Sequence, residues 1–141
     1  MNREIKFRIW ADNKFYNKCL VGNTNNTNDE KWTCPMVWLE KQKEWVHCDN
    51  GIICQYTGLK DKNGKEIYEG DVVLLTCYNY EEPVFGGNFK VIYDDINGMW
   101  LLVDLENKDR GFAFGEIRSY YKAEIEIIGN IYDNPELLGG E

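Results

Sequence analysis

Apolar and polar residues alternate along several short stretches of this chain. Residues 5–9 read IKFRI and residues 123–127 read AEIEI, so in each segment every second position is apolar. Side chains on a β-strand point alternately to the two faces of its sheet, and a period of two is therefore typical of a strand with one buried face. Both segments are predicted to be half-buried strands, and the second is expected to continue to Tyr132.

Three Asn-Gly dipeptides, at Asn50-Gly51, Asn63-Gly64 and Asn97-Gly98, lie between apolar or β-branched runs. A two-residue hairpin of type I′ requires positive φ at both central residues, and Asn-Gly adopts that conformation most readily. Each dipeptide is therefore predicted to join two antiparallel strands. The signal is strongest in residues 55–73, QYTGLKDKNGKEIYEGDVV, where a second turn at Gly70-Asp71 leads into an apolar strand.

Other turn signals divide the rest of the chain. Asp12-Asn13 predicts a turn followed by a returning strand at residues 14–16. The polar tract GNTNNTNDE is too poor in apolar residues to be buried, and it predicts a mobile loop over about residues 22–31. Residues 116–122 are compatible with either a short helix or another strand edge, because periodicity cannot decide over so short a segment.

These signals predict a mainly β fold of antiparallel hairpins with little helix. Asn134-Pro135 is expected to end the last strand, and residues 136–138 are expected to form a short closing turn. The chain has 141 residues, of which 43% are apolar and 14% aromatic. That length and composition are typical of one folded domain with its own core, so residues 1–141 are predicted to be a single domain.

The charge of the chain is unevenly distributed. The formal net charge is −8, yet residues 1–20 hold five basic and two acidic residues. An acidic surface opposes the phosphate neutralisation that supplies most non-specific affinity for nucleic acid. Nucleic acid is therefore a less favoured partner, and the basic N-terminal strand containing Lys6 and Arg8 is the one segment that would serve it.

The five cysteines do not indicate a disulfide framework. Their number is odd, and the N-terminal residues have charges scattered among the apolar ones, unlike a secretory signal. No apolar run is long enough to span a membrane, so a cytoplasmic location is expected. His47 precedes Cys48, but adjacent strand residues point to opposite faces, which disfavours a shared zinc ion.

Catalytic patterns are weak throughout the chain. The only histidine is His47, so a Cys-His scheme would have to combine it with Cys54 or Cys77. The carboxylates at Asp94-Asp95 and at Asp104 and Glu106 are candidates for a divalent cation, but turns commonly contain such residues. We therefore expect no enzyme activity, and no catalytic, cofactor-binding or metal-binding residue is predicted.

Two aromatic features have both a structural and a functional interpretation. The segment GFAFG at residues 111–115 is superficially similar to the aromatic strand of RNA-binding sheets, but its surroundings are acidic. Large aromatic side chains are also numerous elsewhere, and they are expected either to fill the core or to form an interaction surface. They are Trp32, Trp38, Trp45, Trp100, Tyr78, Tyr80, Tyr120 and Tyr121. The first residues chosen for mutation are Lys6, Arg8, Trp38 and Trp45.

Three segments resemble the YopX family of small bacteriophage and prophage proteins from mainly Gram-positive bacteria. They are residues 3–8, REIKFR; residues 55–71, QYTGLKDKNGKEIYEGD; and residues 127–138, IIGNIYDNPELL. The resemblance implies a fold that contains a β-barrel, and it supplies no catalytic residues to carry over. The turn at residues 69–72 is also similar to the entry of SH3-like barrels, so an SH3-like barrel with additional strands is expected.

The combined hypothesis is a phage- or prophage-encoded accessory protein in the host cytoplasm. Its leading function is that of a non-enzymatic module that binds a host or phage protein, with homo-oligomerisation also open. Exposed strand edges favour the same function, because an unpaired edge accepts a partner strand. The alternative is a nucleic-acid-binding regulatory protein that uses the basic N-terminal strand.

Overall fold

The computed structural model describes residues 4–25, 31–120 and 122–138. These residues form a mainly β structure with antiparallel pairing, which confirms the predicted fold class. The strands are β1 (Phe7–Ala11), β2 (Lys14–Tyr16), β3 (Cys19–Asn25), β4 (Lys31–Leu39), β5 (Glu44–His47), β6 (Ile52–Lys60), β7 (Glu66–Tyr68), β8 (Asp71–Asn79), β9 (Glu82–Asp94), β10 (Met99–Asp104), β11 (Gly111–Ala113) and β12 (Lys122–Asn130). Two 3₁₀ helices span Phe114–Ser119 and Pro135–Leu138.

The chain divides into two compact units, the first ending at Tyr56 and the second beginning at Thr57. In the first unit β1 pairs with β2 on one side and with residues 52–55 of β6 on the other. A separate antiparallel sheet has the order β3-β4-β5. Ile9, Ala11 and Val37 form the buried centre of this unit.

The second unit contains a five-stranded antiparallel sheet with the order β11-β10-β9-β8-β12. Alternate residues of β8 and β9 face the core, as period-two side-chain orientation requires. The buried core consists of Ile67, Val73, Leu75, Cys77, Phe89, Val91, Leu102 and Ile117. The SH3-like barrel and the single domain stay predictions.

The type I′ turn lies at a different position from the one predicted. Asp12 and Asn13 have φ values of 53° and 61° and join β1 to β2, whereas at the predicted Asn63-Gly64 position only Gly64 has positive φ, at 83°. The Asp61 carboxylate accepts the N–H groups of Asn63 and Lys65 and holds a wider turn there. The type I′ prediction at Asn63-Gly64 is therefore wrong.

The hairpin predicted at Asn50-Gly51 is also wrong, because β5 pairs with β4 and β6 pairs with β1. The chain turns a corner at this point, and the Gly51 N–H donates to the Cys48 carbonyl at 2.8 Å. A Cβ atom at Gly51 would lie 2.7 Å from Ile9 Cγ2. Glycine is needed here for close packing. The hairpin at Asn97-Gly98 is confirmed, since it joins β9 to β10, but its turn spans residues 95–98 and only Gly98 has positive φ, so the two-residue type I′ turn is wrong there as well.

We expect Gly51→Ala to lower the free energy of unfolding by about 1–3 kcal/mol, the usual cost of overpacking a closely packed position. Chemical denaturation measures the loss. The matched control is Gly22→Ala, because nothing lies within 4 Å of a Cβ at Gly22. In a strand this control is expected to be neutral or to stabilise by up to about 1 kcal/mol. Equal losses in the two variants would contradict the packing role of Gly51.

The polar tract is partly a strand. β3 extends through Asn25 and pairs with β4, which begins at Lys31, so Gly22–Asn25 do not form a loop. Residues 26–30, the other half of the predicted mobile loop, lie outside the described residues. Near the other end of the chain, the last strand is confirmed but ends at Asn130, two residues before the predicted Tyr132. The short closing turn is confirmed as the 3₁₀ helix Pro135–Leu138. The undecided segment begins within a 3₁₀ helix, Phe114–Ser119.

Candidate functional site

A groove of about 610 Å³ lies in the first unit. It is lined by residues 14–18, which run from β2 into the start of β3, and by residues 38–42, which form the turn between β4 and β5. The Trp38 N–H donates to the Lys18 carbonyl at 3.1 Å and joins these two segments. We call this feature the lysine–aromatic groove, because its lining includes three lysines, Phe15, Tyr16 and Trp38.

The Trp38 ring in this groove is fixed by its neighbours. It is paired with Trp45 across β4 and β5, and the two rings make an edge-to-face contact with centroids 5.4 Å apart. Its Nε1–H donates to Glu40 Oε2 at 2.6 Å, while Glu40 Oε1 accepts from Lys43 Nζ at 2.6 Å. The bond from Lys43, and after it the bond from Trp38, lower the pKa of Glu40. Trp38 is therefore held in one orientation.

Basic side chains lie over the aromatic rings of this surface. The Lys18 ammonium is 4.1 Å from the centroid of the Trp38 ring, and the Lys14 ammonium is 4.6 Å from that of Tyr16. Such cation–π contacts contribute about 0.5–1 kcal/mol at exposed sites. They place the two ammonium groups at the wall of the groove.

The lining of the groove is more basic than the rest of the protein. Its charged residues are Lys14, Lys18 and Lys41 against Glu40 alone, and the Glu40 carboxylate is already bonded to Lys43. The two units also differ in charge, and the unit that contains the groove is the more basic one. Residues 1–56 hold eight basic and seven acidic residues, a formal charge of +1, while residues 57–141 hold eight and seventeen, a formal charge of −9.

The structure separates the four residues chosen first for mutation. Trp38 lines the groove, and Trp45 supports it from the neighbouring strand. Lys6 lies elsewhere in the first unit, with its ammonium over the Tyr56 ring. Arg8 is not among the lining residues, but its guanidinium is 3.8 Å from the centroid of the Phe15 ring, which lines the groove. The basic residues that line the groove are therefore not those that the sequence pattern had favoured.

The predicted aromatic surface is divided between core and exterior. Tyr80 is 69% exposed at the β8–β9 turn and Trp45 is 36% exposed. Trp100 and Tyr120 pack against the core of the second unit, and Tyr78 is half-buried. The side chains of Trp32 and Tyr121 lie outside the described part of the chain.

The sequence analysis did not predict that Lys14, Tyr16, Lys18 and Lys41 line one groove. Lys14 and Lys18 belong to the basic N-terminal residues, but Lys41 is distant in sequence. The available signal was the segment WLEKQKEW at residues 38–45, in which two tryptophans flank a charged turn. That pattern is typical of a hairpin with a cross-strand aromatic pair.

The cysteine–histidine hypothesis gains no support from the geometry. Cys77 is fully buried in the second core and Cys54 is buried in β6, whereas His47 is exposed on β5. Burial raises the pKa of Cys19, Cys48 and Cys77, which disfavours the reactive thiolate. Within the described ranges, no three His, Cys, Asp or Glu residues are grouped so as to hold a metal ion.

The carboxylates that were candidates for binding a cation accept hydrogen bonds within turns. Asp94 accepts the N–H groups of Ile96 and Asn97, and Asp104 accepts that of Glu106 and pairs with Arg110 at 3.5 Å. In the segment GFAFG, the two phenylalanines pack against the second core. Those rings are therefore not presented together for base stacking.

A smaller depression of about 390 Å³ lies in the second unit, beside the helix Phe114–Ser119. Its lining includes Leu59, Ile117, Tyr120 and Ile125, with Lys60 and Lys122 as its charged members. Lys122 is already paired with Glu124 at 3.0 Å. One of the two lysines of this depression is therefore already ion-paired, whereas none of the three lysines that line the groove pairs with a carboxylate in the described part of the chain.

No helix of the described residues has the length and apolar character to cross a bilayer.

Two solved structures share the fold of this chain. One is the crystal structure of protein EF1440 from Enterococcus faecalis, 23% identical, with a TM-score of 0.57; the match covers 98% of this chain and 100% of that one. The other is the crystal structure of protein yopX from Bacillus subtilis, 22% identical, with a TM-score of 0.55 and coverage of 94% and 97%. No curated protein matches the chain.

A family model described as YopX protein matches residues 6–139, nearly the whole length of the chain. The structural likeness to yopX is consistent with that match. The chain belongs to the YopX family.

Proposed function

We propose that this chain is a non-enzymatic protein-interaction module, encoded by a bacteriophage or prophage and acting in the bacterial cytoplasm. It binds a host or phage protein through the lysine–aromatic groove. Membership of the YopX family supports the phage or prophage origin, because YopX-type proteins occur in those genomes.

The observation that carries the proposal is the fixed Trp38 ring in the groove. Trp45 and Glu40 hold this ring in one orientation, so a partner that packs on it loses little side-chain entropy. Tryptophan in a partly enclosed depression is the residue type most enriched among interface residues with large energetic effects. Tyr16 and Leu39 extend the same wall with further apolar area.

The lining residues also support a binding role over a catalytic one. Lysines, aromatic side chains and a carboxylate already bonded to Lys43 line the groove, while His47 and the cysteines do not. Lysine, tyrosine and carboxylate groups can also act as acids, bases or nucleophiles. In this groove, however, the Lys14 and Lys18 ammonium groups lie over aromatic rings, and the Glu40 carboxylate is bonded to Lys43 and Trp38.

The groove can be tested by photo-crosslinking in infected host cells. A benzophenone amino acid placed at Gln42, an exposed lining residue, should crosslink to one protein, and the same probe at Asn63 should not. We expect Trp38→Ala to reduce the yield at least about tenfold, because it removes the central aromatic anchor. Leu20→Ala, on an exposed apolar residue of the same unit that does not line the groove, should leave the yield unchanged.

Nuclease treatment distinguishes the alternative function. A crosslink that survives nuclease and is lost in Trp38→Ala supports the proposal, provided that circular dichroism shows the variant folded. Crosslinks that disappear with nuclease would favour nucleic acid instead. Equal capture from Gln42 and Asn63, or none from Gln42, would overturn the groove as the docking site.

A further inference from the structure

We infer that the segment bound in the lysine–aromatic groove is an acidic protein segment with an apolar side chain among its carboxylates. This inference rests on the proposed function and specifies the chemistry of the partner. It follows from the charges that line the groove, from the cation–π contacts that hold its ammonium groups, and from the contrast between this basic lining and the negative net charge of the chain.

Among the described residues that line the groove, basic side chains outnumber acidic ones by three to one. In the described part of the chain, Lys14, Lys18 and Lys41 make no ion pair with a carboxylate. The one carboxylate in the lining, Glu40, is bonded to Lys43 and Trp38, and the charge of Lys18 acts on it more weakly, without an ion pair. A segment entering the groove therefore meets three ammonium groups, and carboxylates are the protein groups that pair with them.

Two of these ammonium groups are positioned before a partner arrives. Lys18 lies 4.1 Å from the Trp38 ring and Lys14 lies 4.6 Å from the Tyr16 ring. A cation–π contact satisfies an ammonium group electrostatically but leaves N–H donors for another acceptor. Each of the two lysines can therefore keep its aromatic contact and also donate to a carboxylate of the partner.

The apolar lining sets the second requirement. Phe15, Tyr16, Trp38 and Leu39 are half-buried, so each leaves part of its side chain accessible. An apolar side chain of the partner would cover this area, and burial of apolar surface contributes about 25 cal/mol per Å². Carboxylates alone would leave that surface in water.

A nucleic acid fits the same surface less well. Single-stranded nucleic acid binds by stacking whole bases on open aromatic faces. Arg8, Lys14 and Lys18 lie over the rings of Phe15, Tyr16 and Trp38, so each half-buried ring leaves room for a small apolar side chain rather than for a flat base. The protein also has a net charge of −8, which repels a long polyanion. A short acidic segment meets mainly the local lysines.

A random peptide library tests the inference without knowledge of the partner. Dodecamers displayed on phage are selected against the purified full chain, and the enriched sequences are compared with the unselected library. We expect Asp and Glu to be enriched next to an aromatic or aliphatic residue. The best peptide, labelled with fluorescein, should lose at least about tenfold in affinity for Lys18→Glu, because a like charge then faces its carboxylates.

The controls separate local charge from net charge. Lys18→Arg should keep most of the affinity, and Lys108→Glu, on an exposed lysine outside the groove, should change it less than about twofold. Enrichment of neutral or basic peptides, or no enrichment, would overturn the acidic segment. So would stronger binding of a labelled twelve-nucleotide oligothymidine that displaces the peptide. The crosslink from Gln42 reports separately on the proposed function, since it depends on no assumption about charge.

Discussion

Asp61→Ala is expected to lower the free energy of unfolding by about 3–5 kcal/mol, because it leaves three backbone donors without their acceptor. The Asp61 side chain is only 7% exposed. One carboxylate oxygen accepts the N–H groups of Asn63 and Lys65, both at 2.9 Å, and the other accepts that of Ile127 at 3.0 Å. The carboxylate therefore stabilises its own turn and, at the same time, strand β12.

Two variants define the origin of this loss. Asp61→Asn keeps an oxygen for Asn63 and Lys65 but presents an NH₂ group to the Ile127 N–H, so an intermediate loss is expected. Asp94→Ala removes a carboxylate with similar turn bonds at the exposed β9–β10 turn, and its effect should be much smaller because water replaces the lost acceptor. If Asp61→Ala and Asp94→Ala were equally mild in urea denaturation, the buried role of Asp61 would be refuted.

The stabilisation by Asp61 should also depend on pH. Burial raises the pKa of Asp61, but the three backbone N–H groups and the charge of Lys65 lower it by more, so the net direction is down. In the unfolded chain an aspartate has a pKa of about 3.9. The stabilisation is therefore complete above that pH and is lost as the pH falls through the lower pKa of the folded protein. The stability difference between wild type and Asp61→Ala should narrow in acid, as urea denaturation at neutral and at strongly acidic pH would measure.

Leu75→Ala is expected to lower the free energy of unfolding by about 2–5 kcal/mol, the range for a leucine removed from a packed core. Leu75 is fully buried among the core residues of the second unit. Its neighbour Leu74 points to the opposite face of β8 and is 39% exposed. Leu74→Ala is therefore a matched control in which the same atoms are removed from a partly hydrated position.

The pair tests the register of the sheet. Chemical denaturation of the two variants should show a loss for Leu74→Ala of less than about half that for Leu75→Ala, because less apolar area returns to water. The reverse order would mean that β8 is shifted by one residue, since such a shift exchanges the two faces of a strand.

Local patterns in the sequence were sufficient for much of the fold. The alternation at residues 5–9 and 123–127 depends only on which face of a strand is buried, and both segments lie in or overlap observed strands. The Asp12-Asn13 turn was likewise predictable, because Asn and Asp tolerate the left-handed conformation. In these cases the information lies within a few residues.

The errors arose where a distant residue decides the conformation. At Gly51 the reason for glycine is Ile9, more than forty positions away, and no local pattern distinguishes this from the positive φ of a hairpin. At Asn63-Gly64 the Asp61 carboxylate holds the wider turn and also bonds to Ile127. A propensity for type I′ turns does not include such an acceptor.

The groove was only partly predictable for the same reason. Trp38, Trp45 and the basic N-terminal residues stood out by residue type. Their grouping depends on the pairing of β4 with β5 and on the bond between the Trp38 N–H and the Lys18 carbonyl. Neither the backbone bond nor the position of Lys41 can be read from composition or spacing.

The position of β12 in the second sheet has a consequence for the order in which the protein is made. β8 lies between β9 and β12, and β12 is the last strand of the described chain, so the ribosome delivers one neighbour of β8 about thirty residues after the other. The Asp61 carboxylate likewise cannot accept the Ile127 N–H group until Ile127 has been synthesised. The strand pairs of the first unit, by contrast, are complete once Tyr56 has emerged. During synthesis β8 therefore has an open edge until its final partner arrives, which is the interval in which a nascent chain is most exposed to wrong strand pairing.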